Sequence, residues 1–128
     1  MDLIATVAGL MLLEYFVFAM LVGAVRGKTG IDAPATTGDP RLERMLRVQM
    51  NTLEQLIVAL PAMWIFGTYI SSTWGAALGL VFIIGRIIYC VGYLSDPKKR
   101  APGFMIGFLA TIVLMVGGLY GAVMAALQ

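Results

Sequence analysis

Four long apolar stretches constrain this chain more than any other feature: Leu3 to Val25, Leu53 to Ile70, Trp74 to Tyr93 and Phe104 to Leu127. A helix needs roughly 20 apolar residues to cross a hydrocarbon core about 30 Å thick, and each stretch is close to that length. A hydrophobic share of 60%, with 12% charged residues and a mean hydropathy of +0.91, lies outside the range of soluble globular domains. The expected fold is therefore all-α and integral to the membrane. It is a single domain over residues 1–128, with four transmembrane helices at about 3–25, 40–70, 74–94 and 102–127.

The second stretch is short by itself, but Asp39 suits an N-cap and Pro40 the first helical position, so its helix is expected to start there. Counted to Ile70 it is roughly 45 Å long, which leaves its first turns, Arg41 to Asn51, in the headgroup region or in water. Gly27 to Asp39 reads as a polar loop, being rich in turn formers. Ser71 to Thr73 and Ser95 to Arg100 are shorter connections, and Pro102 can start the last helix.

Orientation follows from the cations. Of nine Lys and Arg, Arg26, Lys28, Arg41, Arg44 and Arg47 lie in or beside the first loop, and Lys98, Lys99 and Arg100 in the third. The positive-inside rule places both loops in the cytoplasm and both termini outside. The first stretch lacks a basic start and a small-residue cleavage motif, so it is expected to be an uncleaved span. Cys90 is the single cysteine and histidine is absent, which argues against a disulfide framework, a metal site and the commonest general base.

Two polar stripes interrupt the apolar pattern. Arg44, Arg47, Asn51 and Glu54 are spaced 3, 4 and 3, along one face of the second helix. Arg86, Tyr89 and Tyr93, spaced 3 and 4, form the second stripe, on the third helix. Ionisable groups so deep in an apolar segment read as a functional site with partners. The plain alternative is that Arg86 merely balances Glu54 inside the bundle while both tyrosines are interfacial aromatics. Taken together, the stripes suggest a cationic pocket open to the cytoplasm. Arginine grips carboxylates in bidentate fashion, amides donate and accept, and a glutamate meets an ammonium group. This inventory matches a small peptide-like zwitterion with two carboxylates and one amine. Nucleic acid is excluded, because the cations sit at a pocket mouth and not along an exposed stripe. Gln49 lies about 200° round the helix from Arg47. Either it bonds another helix across the bundle, or a site using both residues is shared between neighbouring subunits.

The run Glu43 to Glu54, of the form Glu-Arg-x-x-Arg-x-Gln-x-Asn-x-x-Glu, resembles the signature of the MAPEG family, the membrane-associated proteins in eicosanoid and glutathione metabolism. Thr36 to Pro40, the run Gly85-Arg86-x-x-Tyr89-x-x-Gly92-Tyr93, and Arg100-Ala101-Pro102 agree with it in order. The resemblance is to its microsomal glutathione transferase and leukotriene C synthase branches. It implies a homotrimer with glutathione, the co-substrate, bound between subunits. By position, Arg47, Asn51, Glu54, Tyr89 and Tyr93 hold it from one subunit, with Arg86 in the same polar wall, and Arg26 and Gln49 come from the neighbour. Arg100 stands at the place of the arginine that faces the thiol and favours the thiolate, the catalytic role. The electrophile or lipid hydroperoxide arrives through the bilayer.

The same resemblance implies an active site facing the cytoplasm, in a bacterial inner membrane or endoplasmic reticulum, with no metal. Gln55 and Gly27 stand where the leukotriene-forming branch has a tyrosine and a second arginine, which points to a broader detoxifying transferase. The competing readings are a noncatalytic lipid- or partner-binding relative and a small channel subunit. A channel needs polar residues through the full membrane depth, and these stripes stop on the cytoplasmic side. Lys98 and Lys99 read as anchors for anionic lipid. Glu14 sits midway along the first helix, roughly 18 Å from the cationic end along its own axis, where a charge is expensive. It reads as either a neutral acid or a hydrogen-bonding group at a subunit interface, not as a catalytic residue.

Overall fold

The computed structural model describes residues 1–128 as four α-helices and one short 3₁₀ turn: α1 (Asp2–Thr29), α2 (Pro40–Tyr69), α3 (Ser72–Ser95), the turn Pro97–Lys99, and α4 (Ala101–Ala126). The caps follow from the sequence. The Asp39 carboxylate accepts from the Arg41 backbone N–H ahead of Pro40, and the Ser71 hydroxyl accepts from Trp74 N–H to start α3. Side-chain and backbone hydrogen bonds from Arg41 hold the Asp39 carboxyl below the usual carboxylate range.

Helix α3 starts at Ser72, inside the connection expected over Ser71 to Thr73, and the larger difference is at the end of α1. The segment from Gly27 was expected to be loop, but α1 continues to Thr29 and ends at Gly30, whose φ of 72° suits glycine. The side chains explain the extension. Thr29 Oγ1 donates to Val25 O, while Arg26 Nη1 donates to Ile31 O and Ala35 O, folding the loop back over the helix end.

Helices α1, α3 and the segment Pro97–Ala126 are each long and apolar enough to cross a membrane. Helix α2 falls short of that measure because Arg41, Glu43, Arg44, Arg47 and Glu54 occupy its first half. Its inner edge is nonetheless a continuous core stripe: Leu42, Met45, Val48, Thr52, Leu56, Ala59, Met63 and Phe66 are all buried. Helices α2, α3 and α4 pack on one another, and α1 packs on α2 and α3.

The core divides into two clusters. One, around Ile4, Met11, Met63, Phe66 and Phe82, fills the end holding the termini. The other, around Phe18, Leu42, Met45, Val48, Tyr89 and Cys90, fills the end with the basic loops. Cys90 is free and buried, a small apolar core residue as its position suggested. Outside these clusters the helices present large apolar side chains outward, among them Phe16, Met20, Ile57, Val91 and Leu119. Lipid-facing or subunit-facing surface is what such a face requires.

Candidate functional site at the basic end

The site is built where α3, the 3₁₀ turn and α4 come together. A Cβ at Gly103 would overlap the Tyr89 backbone, so only glycine lets the start of α4 lie directly on α3. At Gly92 a Cβ would meet the Lys99 carbonyl, which is how the turn seats on the same helix. Arg100 and Phe104 are thereby carried to the edge of Tyr89 and Tyr93. Arg44 closes the arrangement from α2. Its Nη1 donates to Leu94 O at 3.2 Å, one of the carbonyls left free at the C-terminus of α3.

These contacts leave a cavity of about 760 Å³ lined by Arg47, Asn51, Tyr89, Tyr93, Lys98, Arg100, Ala101 and Phe104. Its size falls within the roughly 300–1,000 Å³ of small-molecule sites. Three cations face it, and its walls are amide, phenol and one aromatic ring. Arg47 Nη1 lies 3.2 Å from Glu54 Oε1, both side chains about half exposed. Arg100 Nη1 donates to Pro97 O at 2.8 Å, which fixes the guanidinium on its turn and leaves its other donors available. Tyr89 and Tyr93 sit with ring centroids 5.6 Å apart.

Below this floor lies a second, closed polar layer. Arg86 is 1% exposed and does not line the cavity. Its Nη2 donates to Asn51 Oδ1 at 2.7 Å and to Thr52 Oγ1 at 3.0 Å, and its Nε to Thr52 Oγ1 at 3.2 Å. The guanidinium carbon stands 4.1 Å from the centroid of the Tyr89 ring, a cation–π contact. Arg86 therefore positions two residues of the cavity from beneath. It does not balance Glu54, which is at the rim with Arg47.

Of the residues singled out in the sequence, Arg47, Asn51, Tyr89, Tyr93 and Arg100 converge on the cavity, and Glu54 joins them through Arg47. Arg26 and Gln49 do not reach it within one chain. Arg26 is occupied with the first loop, and Gln49 Nε2 donates to Tyr15 Oη of α1 at 3.4 Å.

Two participants were missed. Thr52 sits on the core stripe of α2, and a hydroxyl at such a position, among Met45, Val48 and Leu56, is the signal that a buried donor faces it. Lys98 was assigned to lipid. Lys98 and Arg100 line the cavity and Lys99 does not. No group of three or more metal-ligating side chains occurs.

Comparison with known proteins covers most of the chain. The model of the MAPEG family matches residues 4–120. The chain is similar to an uncharacterized protein of Synechocystis, 45% identical over 90% of this chain and 84% of that one. It is similar to human microsomal glutathione S-transferase 2, at 37% identity over 88% of this chain and 78% of the relative. To the leukotriene C4 synthase of Cavia porcellus it is 33% identical over 98% and 89%.

Proposed function

The chain belongs to the MAPEG family, and on that premise we propose that it is a membrane-bound glutathione transferase, conjugating glutathione to lipophilic electrophiles. The observation that carries this reading is the convergence of Arg47, Lys98 and Arg100 with Asn51, Tyr89 and Tyr93 on one cavity. Glutathione brings two carboxylates, an ammonium group and a thiol. The carboxylates meet Arg47 and Lys98, the ammonium group meets Glu54, and the peptide amides meet Asn51 and the tyrosine hydroxyls.

Arg100 has the catalytic role. A fixed cation beside sulfur favours the thiolate, the actual nucleophile, and each unit by which the thiol pKa falls is about 1.4 kcal/mol of differential stabilisation. The thiol proton leaves to solvent through the cavity mouth. The sulfur lone pair then forms a C–S bond to the electrophilic carbon as the leaving group departs with its bonding pair. With a lipid hydroperoxide the same thiolate attacks the O–O bond. A second glutathione then completes the disulfide, giving alcohol and water.

All four helices cross the membrane in this reading, with α2 as the fourth span shielded by its neighbours, both termini outside and the cavity at the cytoplasmic face. Three copies share the sites, with Arg26 and Gln49 supplied by the neighbour. Within one chain Gln49 bonds Tyr15 of α1, as the plain alternative expects, and Arg26 bonds the first loop, so the shared arrangement rests on the family resemblance. The apolar electrophile enters laterally from the bilayer.

The test is conjugation of glutathione to chlorodinitrobenzene by the purified protein. Arg100→Ala is expected to lower turnover about a hundredfold, the scale for removing one charge-stabilising donor, with glutathione affinity within about threefold of the parent. Normal turnover in that variant would remove Arg100 from the mechanism. Glutathione binding without turnover in the parent would favour the noncatalytic lipid- or partner-binding reading.

A further inference from the structure

Arg86 poses a problem of charge balance. A guanidinium that is 1% exposed, halfway down a membrane-spanning bundle, requires a counter-charge, and its hydrogen-bond partners Asn51 and Thr52 are neutral. The chain has seven acids. Asp2 begins α1 at the opposite end, while Asp32, Asp39, Glu43 and Asp96 lie in or beside the basic loops. Glu54 is half exposed and taken by Arg47. Glu14 remains.

Its position fits. On α1 the residues Val7, Met11, Phe18 and Val22 are buried, and Glu14 falls between them at the same helical spacing, on the face packed against α2 and α3. Both carboxylate oxygens are shut off from solvent without a hydrogen-bond donor. No Lys or Arg nitrogen is in ion-pair contact with the carboxylate, so its attraction to Arg86, whose hydrogen bonds go to Asn51 and Thr52, acts at longer range across the packed faces of α1 and α3. The remoteness of Glu14 from the site holds along α1 itself and not across to α3, on which α1 packs.

We propose that Glu14 is the counter-ion of Arg86 and, through it, the positioning residue that holds Asn51 and Tyr89 at the floor of the cavity. The pair ties α1 to α3 and leaves the bundle interior neutral. Arg86 can then direct its hydrogen bonds at Asn51 and its charged face at the Tyr89 ring. The positioning role rests on the glutathione reading of the cavity. The counter-ion role does not.

A double-mutant cycle tests both, using Glu14→Leu, Arg86→Met and the combined variant, with thermal unfolding and glutathione calorimetry as readouts. Each single change strands one buried charge and is expected to lower Tm by more than about 10 °C. The combined variant strands no charge but still leaves Asn51 and Thr52 without their donor, so its Tm should lie above that of Arg86→Met alone and its loss well below the sum of the two single losses. Glutathione affinity should fall roughly tenfold in each single variant and stay low in the combined one, because Asn51 and Tyr89 have lost their anchor. Glu14→Gln keeps the shape without the charge, and carries the binding measurement if Glu14→Leu does not fold.

Additive losses of Tm in the combined variant would overturn the pairing. Parent-like glutathione affinity in Glu14→Gln would overturn the positioning role. If the parent protein binds no glutathione, the reading of the cavity fails and the positioning role with it. The Tm cycle still decides the pair.

Discussion

Two layers of arginine lie within a few side chains of each other and have opposite characters. In the upper layer Arg47 and Arg100 are exposed, and each makes a single bond within the chain. In the lower layer Arg86 is sealed, bonded to Asn51 and Thr52 and stacked on Tyr89. The upper guanidiniums keep donors free for a ligand, whereas the lower one directs its Nε and Nη2 at Asn51 and Thr52. Asn51 and Tyr89 belong to both layers, being cavity-lining and held from below. One bundle can thus present exposed cations at a cavity while a buried cation holds the side chains of its floor.

The sharpest way to break this distinction is to remove the lower arginine. Arg86→Met leaves Glu14, Asn51 and Thr52 without their partner and is expected to cost about 3–5 kcal/mol of stability, the scale for breaking a buried ion pair, read by thermal unfolding in detergent. A small change would place Arg86 with the rim residues. Arg47→Ala is the counterpart above. It should weaken glutathione binding roughly tenfold, the worth of one charged hydrogen bond, while leaving Tm within about a degree or two, since exposed ion pairs contribute little. Lys98→Ala sharpens the boundary of the upper layer. If Lys98 contacts a ligand carboxylate, glutathione affinity drops about two- to threefold at the low end of exposed charge pairs. If it anchors lipid only, calorimetry will show no change.

Much of this architecture was legible in the chain before any fold was known. Long apolar stretches and the Asp39-Pro40 start placed the helices, and α1 overran its expected end because Arg26 and Thr29 bond into the loop that turn formers had seemed to begin. The clustering of cations and the spacing of Arg47, Asn51, Tyr89 and Tyr93 pointed to the end of the bundle where these residues line one cavity. Depth was not legible. Helical spacing says which face a residue occupies, not which neighbour meets it, so Arg86 and Arg47 looked equivalent. Only packing shows that one faces Thr52 and the other the cavity. The same limit hid Glu14, which is far from the site along α1 but lies on a helix that packs on α3.

The central claim is that the exposed cations of the upper layer bind glutathione so that its sulfur ionises. Titrating the detergent-purified protein with glutathione at neutral pH, and following ultraviolet thiolate absorbance, tests it directly. The account predicts a saturable rise in thiolate signal that is lost in Arg100→Ala at saturating glutathione. Binding without any thiolate signal, or an undiminished signal in that variant, would contradict it.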